Sequence, residues 1–241
     1  MITGLYSAST ALQALQRNQE VIAHNLAHVG VPGYRGLTMT FGSLESASEQ
    51  DSSGIGAGST LGQESTDFTQ GPIVHTGRKL DVAIDGDGFF VLQGQNEQLF
   101  TRNGVFFLAD DGTFINSEGM PVLGTNGPLR APAGSSESQI DIARDGTVTV
   151  GESPVGQLRI ASFTDNQQLE RAGTTLFRAP PGVAPDDANS QVRQGVHEQA
   201  NVSAVDQLVR MVTGIRQYEA AQRVLKTIDQ TIGSQTNPQQ A

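Results

Sequence analysis

The chain contains no cysteine and no tryptophan, and its first lysine is Lys79. Without cysteine there is no disulfide framework, no thiolate metal site and no cysteine nucleophile. Basic side chains are scarce, with 15 Lys and Arg against 25 Asp and Glu, giving a formal net charge of -10. Phosphate backbones repel a surface of that sign, so no nucleic acid partner is expected. Long apolar runs are also missing. The best, such as Phe89-Phe90-Val91-Leu92, fall far short of the roughly 20 residues that span a bilayer, so no membrane insertion is expected. The opening Met1-Ile2-Thr3-Gly4, with Arg17 as first basic residue, lacks the basic n-region of a Sec-type signal. Taken alone, that would indicate the cytoplasm. Hydrophobic residues still make up 37% of the 241 positions, enough to bury one core or two.

What the chain has in excess is glycine, 28 residues beside 10 prolines, concentrated in the middle. The two ends read differently. Leu5, Ala8, Leu12, Leu15, Gln19, Ile22, Leu26 and Val29 fall at alternating +3 and +4 steps. Only Gln19 is polar, so the spacing predicts one helix of about 25 residues with a narrow apolar seam. Gly30 suits a left-handed stop, and Pro32-Gly33 cannot continue the helix. At the other end, Ser203 and Asp206 have capping-box spacing before a second run. That run reads Val205, Leu208, Val212, Ile215, Tyr218, Ala221, Leu225, Ile228 and Ile232. Its register slips between Ile215 and Tyr218. A helix over 204–232 follows, closed by Gly233 and Pro238. Single helices are marginal in water, so the economical solution pairs the two ends. The alternative lays both helices on the central sheet, which suits their narrow seams less well.

Between the helices the texture changes. Residues 43–65 are rich in Ser, Gly, Ala, Glu and Gln, the composition of a linker or flexible loop. From about residue 73, short β-type runs alternate with Asp-Gly turn signals. Leu80 to Ile84 alternates, Phe89-Phe90-Val91-Leu92 reads as a buried strand, and Gln157 to Ala161 gives another. Asp110-Asp111-Gly112, Ser117-Glu118-Gly119 and Arg144-Asp145-Gly146 punctuate them. This pattern indicates an antiparallel β domain. The expected fold class is therefore mainly β with α, a central antiparallel β domain flanked by N- and C-terminal α-helices that pair as a coiled-coil-like rod element. The expected divisions are 1–35 first helix, 36–72 linker or extended segment, 73–200 β domain, 201–233 second helix and 234–241 tail.

Sites for chemistry fail on inspection. A calcium loop starting at Asp85 would need glycine and glutamate where Phe90 and Asn96 stand. His24 and His28 share a helix face, but Asn25-Leu26-Ala27 between them lacks a zincin glutamate. Gly54-Ile55-Gly56-Ala57-Gly58 lacks the lysine and the strand-to-helix setting of a phosphate loop. There is no Gly-x-Ser-x-Gly elbow, and no carboxylate pair stands out. No catalytic, cofactor-binding or metal residue is assigned, and no enzyme activity is expected.

Four stretches carry a resemblance. The first is Ala23-His24-Asn25-Leu26-Ala27-His28, continuing to Gly33-Tyr34-Arg35. The second is Asp81-Val82-Ala83-Ile84-Asp85-Gly86-Asp87-Gly88-Phe89-Phe90. The third is Phe100-Thr101-Arg102-Asn103-Gly104, running on through Asp111-Gly112 to Gly124. The fourth runs from Gln194-Gly195 through Glu198, Asn201 and Val202 to Tyr218-Glu219-Ala220. In this order and over nearly the whole chain, they resemble the bacterial flagellar basal-body rod and hook protein family. His24, His28 and Pro32 depart from the family's usual residues. Thr66 to Gly71, Thr76 to Asp81 and the compact length look most like that family's proximal rod group, with the distal rod group or a hook-type paralogue as the alternative.

The resemblance implies a structural subunit of the periplasmic rod of the bacterial flagellum basal body, exported by the flagellar type III apparatus without a cleaved Sec signal. It implies other rod and hook-basal-body proteins as partners and self-association in a helical assembly that transmits torque. The expected assembly seam is Leu5, Leu12, Leu15, Ile22, Leu26 and Val29 with Val205, Leu208, Val212, Ile215, Leu225 and Ile228. A surface adhesin, a β domain on a helical stalk, is the competing reading from another class.

Overall fold

The computed structural model describes residues 2–40, 42–43, 59–60, 63–188 and 190–236, with side-chain environments for 8–40, 63–188, 190–228 and 230–231. The chain divides into two compact units. A helical unit comprises Met1–Ala27, Leu37–Thr66 and Ser203–Ala241; a β unit comprises His28–Gly36 and Asp67–Val202.

In the helical unit, α1 (Ile2–Ala27) and α2 (Ala204–Thr236) pack on each other. α1 buries Ala14, Val21, Ile22 and Asn25 and half-buries Leu12, Leu15, Gln19 and Leu26. This face is wider than the expected narrow seam because the strand Leu37–Met39 also lies against α1. That strand pairs antiparallel with Glu64–Thr66, Leu37 opposite Thr66. Within the expected 36–72 linker, residues 37–39 and 64–66 are therefore paired backbone, as are 42–43 and 59–60; residues 41, 44–58 and 61–62 lie outside the described residues. Arg17 adds an exposed fork to Glu20 (3.0 Å) and Glu64 (3.3 Å). At the start of α2, the Asp206 N–H donates to Ser203 Oγ at 3.5 Å. Asp206 also pairs with Arg210 at 2.8 Å, one turn on. The helix continues past Gly233 to Thr236, since a single glycine costs a helix only about 1 kcal/mol.

The β unit centres on a six-stranded antiparallel sheet. Its spatial order is Glu170–Arg171, Leu176–Arg178, Gln98–Thr101, Phe89–Gln93, Ile160–Ser162 and Asp186–Asp187. Beside it, Val82–Asp85 pairs with Gln191–Gln194 and Ile73–His75 pairs with Val196–Glu198. Successive side chains of a strand point to opposite faces. Phe90 and Leu92 accordingly join a core with Leu80, Val82, Ile84 and Phe106. Phe89 and Val91 join a second core with Phe100, Leu169 and Phe177. The unbroken apolar run is thus a strand buried on both faces. Asn25 belongs to the helical unit, where it clamps strand backbone: its Nδ2 donates to the Leu37 carbonyl and its Oδ1 accepts from Leu37 N–H, both at 2.8 Å.

Two Asp-Gly-Thr turns share one device. Asp111 accepts from the N–H and Oγ1 of Thr113 (3.0 and 2.8 Å), and Asp145 accepts likewise from Thr147 (3.0 and 2.9 Å). These bonds, backbone N–H first, hold both carboxyls below the ordinary aspartate range. A folded-state value below the unfolded one of about 3.9 gives stability that is present above that pH and is lost as pH falls through the depressed value. Asp145→Asn should therefore destabilise the β unit in urea at pH 7, with a deficit that shrinks towards about pH 2. A deficit equal at both pH values contradicts this.

Candidate assembly site

The β unit joins the sequence motifs through one buried ion cluster. Glu198, fully buried at the end of the strand Val196–Glu198, receives Arg35 Nη2 on Oε1 at 2.6 Å and Arg102 Nη1 on Oε2 at 3.5 Å. Glu198 Oε1 also accepts the Gly71 N–H at 2.7 Å. The Glu198 carbonyl accepts the Gly33 N–H at 2.8 Å. Arg102 reaches into the second motif, donating to the Gly86 carbonyl at 2.7 Å and lying 5.5 Å from the Phe89 ring centre. Burial pushes the Arg102 guanidinium down to about 10, Glu198 opposing and Arg35 reinforcing the fall. It stays protonated at neutral pH, and it meets the Arg35 guanidinium on the same Glu198 carboxylate, with Asp87 a further anion acting on Arg102.

A second polar knot lies in the same segments. Asn201 Oδ1 accepts from Gly36 N–H at 2.7 Å, while Nδ2 donates to the carbonyls of Asp67 (2.8 Å) and Thr69 (3.1 Å). Tyr34 is buried, stacked on His28 at 5.2 Å, with Arg171 5.3 Å from its ring centre. Arg171 in turn donates to the Arg35 carbonyl at 2.7 Å. The left-handed turn expected at Gly30 is made by Gly33 instead, at φ 69°, pressed against the backbone of Arg102 and Asn103. A side chain there would overlap that backbone, so this close approach requires glycine.

Of the motif residues singled out from sequence, the structure gathers Gly33, Tyr34, Gly86, Phe89, Arg102, Asn103 and Asn201 around these two knots. Gly104 caps the neighbouring strand, its carbonyl accepting from Val82 N–H at 2.9 Å. Asp81 pairs with Arg78 at 3.0 Å, Gly88 is packed against Ile160, and Phe90 belongs to the other core. Leu26 and Val202 are half-buried. Arg35 and Glu198 stand within the motifs, but their sequence context gives them no role; only the fold brings them together. No group of metal-ligating side chains forms among the described residues.

The helix seam is where structure and expectation part. On α1, Ile22 is buried and Leu12, Leu15 and Leu26 are half-buried; Val29 is half-buried in the turn beyond the helix, and the Leu5 side chain lies outside the described ones. On α2, Leu225 and Ile228 are half-buried. Val205, Leu208, Val212 and Ile215, however, are 72%, 49%, 51% and 46% exposed, with Val209 at 60% beside them. The inward set is Ala204, Gln207, Met211, Gly214, Tyr218, Ala221, Leu225 and Ile228. It keeps +3 and +4 steps without a break, so the register slip at Ile215 disappears. Ranking by apolarity selects the wrong stripe in the first half of α2; continuity of spacing selects the right one.

The ion cluster gives a direct prediction. Glu198→Gln is nearly isosteric but removes the one carboxylate that bonds both buried guanidinium groups. Removing one partner of a buried ion pair typically costs about 3–5 kcal/mol. The urea midpoint of the variant should fall accordingly, while Arg17→Ala, breaking only exposed pairs, should change stability by less than about 1 kcal/mol. Equal effects would overturn the assignment.

Comparison with known proteins agrees with the motifs. The family described as flagella basal body rod protein matches residues 5–35, the flagellar hook protein FlgE/F/G D1 domain matches 83–150, and the flagellar basal body rod FlgEFG protein C-terminal family matches 193–237. The chain is 31% identical to the flagellar basal-body rod protein FlgG of Agrobacterium fabrum, over 92% of this chain and 94% of that protein. It is 30% identical to FlgF of Salmonella typhimurium, over 95% of each, and 28% identical to FlgG of Bacillus subtilis, over 98% and 99%. These proteins are structural and non-enzymatic. With relatives matched over more than nine tenths of both chains, the chain belongs to the flagellar basal-body rod FlgE/F/G family and is a structural subunit of the bacterial flagellar rod.

Proposed function

We propose that this subunit polymerises helically through α1 and α2, with copies of itself and with other rod and hook-family proteins, and that the assembly transmits torque. The observation that carries this reading is the exposed stripe Val205, Leu208, Val209, Val212 and Ile215. A contiguous apolar patch on an exposed face marks an interaction surface. Its occupant is a terminal helix of a neighbouring rod-family subunit, since such a helix offers a matching apolar stripe, and membership of a rod family implies assembly with such proteins. A head-to-tail interface that does not close on itself yields a filament. In that filament the assembly seam comprises Leu5, Leu12, Leu15, Ile22, Leu26 and Val29 with Val205, Leu208, Val212, Ile215, Leu225 and Ile228. Some of these residues serve the intramolecular pair and the exposed ones serve the neighbour.

Within the family, the stretches Thr66 to Gly71 and Thr76 to Asp81 and the length of 241 residues favour the proximal rod group. Relatives named FlgG and FlgF match almost equally, at 31% and 30%, so this finer assignment rests on those stretches. Export by the flagellar type III apparatus in an unfolded state fits a cysteine-free chain, in which no disulfide needs reduction or reshuffling on the way.

Because Val212 is solvent-exposed, Val212→Asp should leave the monomer's unfolding transition nearly unchanged, as surface substitutions usually do. The same substitution should abolish incorporation into isolated basal bodies and stop swimming. Normal incorporation would sink the stripe as an interface. Labelled subunits in basal bodies should lie at the inner-membrane end of the rod; a label at the hook end gives the distal assignment.

A further inference from the structure

Hydrophobicity alone would turn α2 the other way. The inward residues Ala204, Gln207, Met211 and Gly214 are each followed by the outward Val205, Leu208, Val212 and Ile215. The two stripes therefore differ by one residue, a rotation of about 100° about the helix axis. Burying the outward stripe on α1 would remove far more apolar surface from water. Some feature of the helix pair must oppose that rotation.

Gln19 of α1 and Gly214 of α2 provide it. Gln19 Nε2 donates to the Met211 carbonyl at 3.3 Å. A carbonyl in an α-helix points toward the residue three to four positions on. At Met211 that residue is Gly214, whose missing side chain leaves the carbonyl reachable. A Cβ on Gly214 would overlap Gln19 Oε1, so the amide occupies the notch. Rotated by one residue, α2 would bring Ile215 to the position of Gly214. Gln19 would then face a branched apolar side chain and lose its acceptor. A buried amide without a partner is costly, and Gln19 Oε1 and Gln207 Oε1 are already buried without a hydrogen-bond partner. A single polar residue at a seam position is a known means of setting helix register at the expense of stability.

We infer that Gln19, seated in the Gly214 notch, is a register lock that holds the more apolar face of α2 outward and keeps it free for a neighbouring subunit. The functional half of this inference rests on the reading of that face as the subunit interface; the lock itself does not. Gln19 is a positioning residue, acting through the orientation of α2. It explains why an apolar seam is interrupted by one glutamine, and why the facing helix carries a glycine in its interior.

The test uses the purified full-length monomer carrying Leu208→Cys, the chain's sole thiol, and a maleimide probe. In this background Gln19→Leu removes the lock and Gly214→Gln closes the notch. Both variants should keep the parent's helical circular dichroism while labelling severalfold more slowly, because α2 turns Leu208→Cys toward α1. Gln19→Leu should also raise the melting temperature, and without the probe it should reduce incorporation into basal bodies. Unchanged labelling in both folded variants overturns the lock. Slowed labelling with normal incorporation leaves the lock standing and overturns the stripe as an interface.

Discussion

The carboxylate of Glu198 holds together segments that meet nowhere else in the sequence. Arg35 comes from the segment following α1, Arg102 from the end of a central strand, and Gly71 from the segment that re-enters the β unit. Charge-assisted hydrogen bonds are short and directional, so they fix where these segments lie more firmly than apolar packing would. A buried ion cluster is weak evidence for net stability, because desolvation offsets much of the attraction. Its contribution is geometric. Asn201 extends the same logic with neutral bonds, tying Gly36, Asp67 and Thr69, the residues beside which the chain enters and leaves the β unit.

This explains the uneven legibility of the sequence. The β domain could be read locally: Phe89 to Leu92 announces a doubly buried strand, and Asp111-Gly112 and Asp145-Gly146 announce turns that the structure builds with threonine partners. That the terminal helices pair followed from their length and periodicity, though the face that α2 turns inward did not. The ion cluster could not be read this way. Its members stand 163 and 96 residues apart, and periodicity within a window carries no information about such pairs. The motifs were visible as strings, but the reason for their residues lies in a three-dimensional meeting point. Gly33 shows the same limit. Gly30 looked the better helix stop because it follows the apolar run directly, yet the close approach of Arg102 and Asn103 decides which glycine takes the left-handed turn.

The second helix departs from its sequence pattern for a different reason. A seam is normally found by assuming that a helix buries its most apolar stripe. That assumption suits a protein whose folding ends with the monomer. In α2 the inward face includes Gln207 and Gly214, while five larger aliphatic residues, Val205, Leu208, Val209, Val212 and Ile215, stay exposed. The pattern is consistent once two demands are separated, one helix face for α1 and another for a partner. Where they compete, Ala204, Gln207, Met211 and Gly214 go inward and the branched aliphatic residues go outward.

Such a surface would also be an aggregation hazard in a free subunit, and the charge composition bears on that hazard. A net charge of -10 makes random encounters between copies repulsive, and the repulsion is long-ranged only to about 10 Å at ordinary salt. The apolar stripe acts only at contact. Repulsion at a distance with attraction confined to one stripe favours those encounters that align helix against helix. Assembly selectivity then arises from two weak and opposing terms, and a single polar notch near the start of α2 determines which face of the helix they act on.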